Sequence, residues 1–323
     1  MKVLCLIDYD KKLKNYFRAR LNKQIKIKFL SKEKLDKVKN YEQFNCLIGH
    51  RIDKNDLEKF RNLKYYIIPF AGVPEKDRKN LKKIKNVILL NSHFNSIFVA
   101  EHAWALLLSL MKKIIPAHEK LKRGNWNFRY ENNLSNYLFG KNLLLAGHGA
   151  IGKKIHNFAK SFNMNVLAVK KHESDKQFVF TPHKVKYLLP QIDIIISSLP
   201  LTKDTIHFFS FKEFDLIKKG VFVVNVGRGE IISQRALFNA LENDKLGGAA
   251  IDTWWNYPKN KASRSNTFPA DYPFNKFENF IFSPHRASHV ENREEYRITD
   301  LSKILNSIIN QKVVNKVEID HGY

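Results

Sequence analysis

The stretch LLLAGHGAIGKKI, residues 143–155, decides how this chain is read. A run of apolar residues, of the kind that forms a buried strand, leads straight into Gly147-His148-Gly149-Ala150-Ile151-Gly152, and a helical alternation of polar and apolar residues follows. A lone G-x-G-x-x-G is a weak signal. Between a strand and a helix, however, each glycine has a task. The first permits the tight turn, the second lets backbone approach a pyrophosphate, and the third lets helix and strand pack closely. The helix start then offers unpaired N–H groups and a partial positive charge to phosphates. Residues 147–152 are therefore predicted to cradle a dinucleotide; the plainer alternative is a turn whose glycines are incidental.

Dinucleotide sites that prefer NAD place Asp or Glu about 20 residues beyond the first glycine, on the ribose hydroxyls. Here the next apolar run, NVLAV (165–169), leads into Lys170-Lys171-His172. Lysine at that point attracts a ribose 2′-phosphate that a carboxylate would repel, so the expected cofactor is NAD(P), with NADP(H) favoured by Lys170 and Lys171. The alternative is a pair of solvated lysines and no discrimination.

The rest of the chain bounds this reading. Its 323 residues are too many for one core, which predicts two domains. Only two cysteines occur, Cys5 and Cys46, each inside a short apolar run, which suits buried free thiols and a reducing cytoplasm. VLCLI at the start is too short for a signal-peptide core, and the longest apolar segment, FVAEHAWALLLSLMKKII, carries Glu101, His102, Lys112 and Lys113, so no membrane association is expected. The net charge of +25 would suit nucleic acid, but the lysines are scattered along the chain with no basic block, so a solvated basic surface is the expectation. No metal is expected.

Short apolar runs alternate with charged helical segments in two series. The first has candidate strands at 3–8, 25–30, 45–50, 65–70 and 87–91; the second at 142–147, 165–169, 178–180, 193–199, 221–226, 248–252 and 279–284. Such alternation predicts α/β structure with parallel sheets. A long helix is expected from about 98 to 122, and another, opening on Ser233 as N-cap, is expected to end at Gly247-Gly248.

The ordered segments VAEHAWALLLSL (99–110), AGHGAIG (146–152), SSLPLTKDT (197–205), NVGRGEIISQRAL (225–237), GGAAIDTWW (247–255) and SPHRAS (283–288) together resemble the D-isomer-specific 2-hydroxyacid dehydrogenases. The resemblance implies two Rossmann-like or flavodoxin-like lobes with a cleft between them: a substrate domain of residues 1–97 plus 291–323 and a dinucleotide domain of residues 98–290. It implies that Arg228 binds and polarises a 2-oxo acid and that His285 is the general acid/base; a permanently charged planar fork and an imidazole titrating near neutrality suit those tasks. It places the substrate carboxylate on the amides of Ala71, Gly72 and Val73 and brings Leu199, Pro200, Thr205, Val226, Gly227, Arg228, Asp252 and His285 to the cofactor, with Asn95 and Val99 nearby. It also implies a homodimer, for which the apolar surface of Trp104 and Leu106-Leu107-Leu108 is the expected interface.

Two departures stand out. The family's third catalytic residue is an acid five positions after the aspartate, and here that position is Tyr257. Tyr257 or Asn256 could bond His285 without charge, Glu278 or Glu291 could reach it from elsewhere, or catalysis could be lost. The second is Arg286, expected to stack on Trp254 or Trp255 or to meet an extra anionic group on the substrate. The function expected is hydride transfer between NAD(P)(H) and a small 2-oxo/2-hydroxy acid of the glyoxylate or hydroxypyruvate type. The alternative is a dinucleotide-sensing regulatory or scaffold protein on the same fold.

Overall fold

The computed structural model describes residues 1–84 and 86–320. The chain divides into two compact units, Met1–Asn95 together with the segment from Val290 onward, and Ser96–His289.

The first unit runs β1 (Lys2–Cys5), α1 (Lys11–Arg18), β2 (Lys26–Phe29), β3 (Cys46–Ile48), α2 (Lys54–Glu58), β4 (Tyr65–Ile68), α3 (Glu75–Leu81) and β5 (Ile88–Asn91). Its strands form one parallel sheet in the order β2-β1-β3-β4-β5, that of a flavodoxin-like winding. A parallel sheet needs apolar cover on both faces. Leu57, Phe60 and Leu81 provide it on one side, packed with Leu4, Leu47 and Tyr66. On the other, Ile298, Leu301, Ile304 and Leu305 of the last helix pack with Val3, Cys5, Phe17 and Ile48. Cys5 and Cys46 are buried free thiols, and burial pushes Cys5 up to about 12, so neither is a reactive group.

The second unit continues with α4 (Ser96–Met111), α5 (Ile114–Leu121), β6 (Asn142–Ala146), α6 (Ala150–Ser161), β7 (Asn165–Val169), β8 (Val179–Phe180), α7 (Val185–Leu188), β9 (Ile194–Ser197), α8 (Phe211–Leu216), β10 (Val221–Asn225), α9 (Gln234–Glu242), β11 (Leu246–Ile251) and β12 (Phe280–Phe282). The chain then returns to the first unit through α10 (Arg293–Ile309). The second sheet is also parallel, in the order β12-β11-β10-β9-β6-β7-β8, a Rossmann winding whose direction reverses between β6 and β9. The apolar runs read from sequence are its strands, and VFVVN of β10 is buried at every position.

Three expectations are corrected. The long helix is two helices, because Lys113 adopts a left-handed backbone (φ 53°) between α4 and α5. Trp104, Leu106 and Leu107 are not a free surface: they are buried inside the unit, Trp104 against Phe158 and Phe162 at 6.1 and 5.1 Å between ring centres. The exposed apolar side chains lie further on, Ile114 at 54%, Leu134 at 78% and Phe139 at 69%. Gly247-Gly248 does not end α9. The left-handed residue there is Asp244 (φ 51°), and the glycine pair lies in β11, where a side chain on Gly247 would strike Gly220 O at 2.6 Å. Ser233 does cap α9, accepting from Ala236 N at 3.4 Å.

Candidate active site

The glycine loop joins β6 to α6 where the sheet's winding reverses. Gly147 has φ 102°, which a side chain would strain, and a Cβ on Gly152 would lie 2.0 Å from Gly147 O. Those two glycines close the turn. Gly149, the N-cap of α6, caps nothing with a side chain, and a Cβ there would meet nothing within 4 Å. The loop thus combines the unpaired first-turn amides of a 12-residue helix with open space beside its second glycine, and these residues fit a bound pyrophosphate. Ala150 and Ile151 form the first turn of that helix. His148 turns away, packed edge-on to His156 and Phe178, and burial together with the neighbouring His156 and lysine charges lowers its pKa to about 4. Lys170 and Lys171, just past β7, are both exposed.

Arg228 follows β10. Its turn is held by Asn225, whose side chain donates to Arg228 O at 2.8 Å and accepts from Gly227 N at 3.1 Å. The Arg228 Nη1 donates to Gly227 O at 2.7 Å, and the side chain is otherwise exposed. A Cβ on Gly227 would strike Leu199 O at 2.5 Å, and one on Gly229 would strike the Trp254 carbonyl at 2.4 Å. The two glycines let the loops after β9, β10 and β11 pack backbone to backbone.

His285 lies three residues beyond β12 with a left-handed backbone (φ 53°). Its Nδ1 is 2.8 Å from the Tyr257 hydroxyl, which accepts from Trp254 N at 3.0 Å. Burial of the packed side of the ring, with the Arg228 charge, outweighs the pull of Asp252 and holds the imidazole pKa below its usual value. Burial raises that of the Tyr257 hydroxyl.

Asp252, at the end of β11, directs its oxygens at the loop instead of the ring. Ser283 Oγ donates to it at 2.5 Å, the Arg286 and Ala287 amides at 3.0 and 3.3 Å, and His102 Nε2 stands 2.8 Å from Ser283 Oγ and 3.5 Å from the carboxylate. Burial alone would raise its pKa; the hydrogen bonds from His102, Ser283 and the Arg286 amide, with the His102 charge, together outweigh burial and lower it. His102 and Ser283 went unread in the sequence, because their link to Asp252 exists only once α4 lies beside the sheet.

Asn256 bonds Asp271 at 2.7 Å, and Glu278 and Glu291 are exposed, so among the described residues the partner of His285 Nδ1 is Tyr257. The expected stacking of Arg286 is not seen: Trp254 stacks on Phe282 and Trp255 on Phe274, and Arg286 serves through its backbone. Thr205 is buried and bonds Pro200 O at 2.7 Å, ordering the loop that carries Leu199 and Pro200. Val226 is buried in the core, and Val99 likewise. In the first unit, Ala71, Gly72 and Val73 follow β4 with amides that make no hydrogen bond among the described residues, while Ala71 O accepts from Asn91 at 2.6 Å. Asn95 Oδ1 is buried without a partner among those residues. No helix among the described residues is long and apolar enough to cross a membrane, and no group of three or more potential metal ligands is found among them.

Residues 104–287 match the family described as D-isomer specific 2-hydroxyacid dehydrogenase, NAD binding domain. The chain is 29% identical to the D-3-phosphoglycerate dehydrogenase of Methanocaldococcus jannaschii over 300 residues, 90% of this chain and 55% of that protein. It is 27% identical to the glyoxylate reductase of Aeropyrum pernix over 263 residues, 79% of this chain and 76% of that one. The chain therefore spans about half the length of the phosphoglycerate dehydrogenase it matches. Its fold is shared with an acyclic imino acid reductase (Bsp5) solved in complex with NADPH and D-Arg, with a TM-score of 0.75, 23% identity, and coverage of 98% of this chain and all of that one.

Proposed function

Since this chain belongs to the D-isomer specific 2-hydroxyacid dehydrogenase family, we propose that it moves a hydride between a nicotinamide dinucleotide and a small 2-oxo or 2-hydroxy acid of the glyoxylate or hydroxypyruvate type. The second unit is the dinucleotide domain and the first the substrate domain. Gly147 to Gly152 hold the pyrophosphate, with Leu199, Pro200, Thr205, Val226 and Gly227 ordering the strand ends beside it. Lys170 and Lys171 favour NADP(H), a positive charge standing where a carboxylate would repel the 2′-phosphate. The bound nicotinamide supplies the hydride.

Arg228 grips the substrate carboxylate and polarises the carbonyl. In the first unit, the amides of Ala71, Gly72 and Val73 form a turn suited to a carboxylate. His285 gives the carbonyl oxygen its proton in reduction and takes it back in oxidation. Asp252 anchors the loop that carries His285. Two copies form the active species, and the exposed apolar side chains of Ile114, Leu134 and Phe139 support that reading.

The observation that carries the proposal is that Arg228 and His285 both follow strands of the one parallel sheet whose winding reverses at the open glycine turn. The test is oxidation of NADPH and NADH with glyoxylate, pyruvate and hydroxypyruvate, compared with His285→Ala. Turnover lost in the variant supports the proposal. A protein that binds dinucleotide but turns over none of a broad 2-oxo acid panel would instead be a sensor, the reading that the missing carboxylate beside His285 favours.

A further inference from the structure

We infer that Tyr257 is a positioning residue that fixes the tautomer of His285, keeping the ring proton on Nε2, so that the uncharged imidazole already presents a donor to the carbonyl of a 2-oxo acid. The inference rests on the dehydrogenase reading only for the identity of the ligand.

A phenol has one proton to give. The Tyr257 oxygen already accepts from the Trp254 amide at 3.0 Å, and its other neighbour is His285 Nδ1 at 2.8 Å. In the inferred arrangement its proton goes to Nδ1, and a neutral ring that accepts at Nδ1 carries its hydrogen on Nε2. A carboxylate in the same place would impose the reverse. It only accepts, so it would draw the ring proton to Nδ1, leave Nε2 bare, and favour the imidazolium. The bare nitrogen repels a carbonyl oxygen. A site with an acid there must charge its histidine to hold an oxo acid, whereas this one need not.

Besides Tyr257, the charged or titratable groups among the described residues whose fields reach the imidazole are Asp252, Arg228 and His289. Asp252 is occupied by Ser283 and the Arg286 and Ala287 amides. Trp254 is itself fixed, its indole donating to Ser283 O at 2.7 Å and its carbonyl backed by Gly229. In reduction the carbonyl carbon gains the hydride with its electron pair, the C=O π bond opens onto oxygen, and that oxygen takes the Nε2 proton. As Nε2 gives up its proton, Nδ1 takes the one that Tyr257 donates; the exposed ring then regains a proton at Nε2 from water and Nδ1 returns its own to the Tyr257 oxygen, which restores the starting tautomer. One proton is consumed per hydride.

Long-range 15N–1H spectra of the histidine-labelled full chain, without cofactor, test this directly, with the His285 signals identified by their loss in His285→Gln. The expected wild-type pattern is Nε2–H, with mixed tautomers in Tyr257→Phe. Tyr257→Glu should give Nδ1–H and hold its proton to a pH higher by about 1 unit or more. With NADPH bound, oxamate affinity should stay level as pH rises through the imidazole titration in wild type and fall about tenfold per pH unit in Tyr257→Glu. A wild-type Nδ1–H pattern, a pattern unchanged by Tyr257→Phe, or wild-type oxamate binding that collapses with imidazole deprotonation overturns the inference. Absence of turnover with every 2-oxo acid, by contrast, would remove the dehydrogenase reading and leave the free-protein spectra to decide the tautomer.

Discussion

Arg228 spends one N–H of its guanidinium on Gly227 O and leaves the rest of the fork exposed. A lysine keeps the charge but not the planar pair of donors. Arg228→Lys should therefore reduce kcat/KM for 2-oxo acids by roughly 100- to 1,000-fold, the range found when a positioned donor to a developing oxyanion is removed; steady-state kinetics give the ratio. Lys170→Glu should weaken NADPH binding at least about tenfold and leave NADH equal or better, measured by quenching of the cofactor's fluorescence. Arg228 and His285 as candidates, and the missing acid, were legible because each sits in a short contiguous motif whose chemistry is local. What replaces the acid was legible only as alternatives, since Asn256 and Tyr257 are neighbours in sequence and the fold turns one toward Asp271 and the other toward His285. His102 was not legible at all, because its partners lie more than 100 residues away.

At the level of elements, the strands were readable because both faces of a parallel sheet are buried, which makes each strand a continuous apolar run. The break between α4 and α5 was not, since the polar–apolar rhythm runs on through Lys113 and a left-handed lysine has no sequence signature. Two elements carry predictions. A Gly229→Ala change adds no charge and removes no hydrogen bond, yet its Cβ must displace the Trp254 carbonyl; it should lower stability by about 1–3 kcal/mol in denaturant melts and disturb the His285 tautomer through Tyr257. The second concerns His148, held neutral between α6 and the segment before β8. Its folded pKa, about 4, lies below the usual histidine value, so its neutral form favours folding above that usual value. That contribution is lost as pH falls toward 4, by up to about 3 kcal/mol. His148→Leu should flatten this decline between neutral and acid pH, read from urea midpoints. Asp252 acts in the same direction at lower pH, its depressed pKa lending stability above the usual carboxylate range that disappears as the carboxyl protonates.

For the molecule as a whole, the +25 charge would put the proposed anionic cofactor and substrate in an attractive field, so their association rates should fall as salt rises. If two copies associate through the apolar surface between Ile114 and Phe139, Leu134→Asp should shift the mass measured by light scattering from two chains to one. The division of the chain has a consequence of another kind. Residues 96–289 are one uninterrupted segment, while the first unit is assembled from the segments on either side of it and one face of its sheet is covered by α10. On a ribosome, the strands of the first unit emerge before the inserted unit but wait, with Val3, Cys5 and Ile48 uncovered, until α10 has been made. The inserted unit can finish first, reversing the usual order in which nascent domains mature. Expressed alone, residues 96–289 should melt cooperatively, and residues 1–95 should aggregate or stay unfolded.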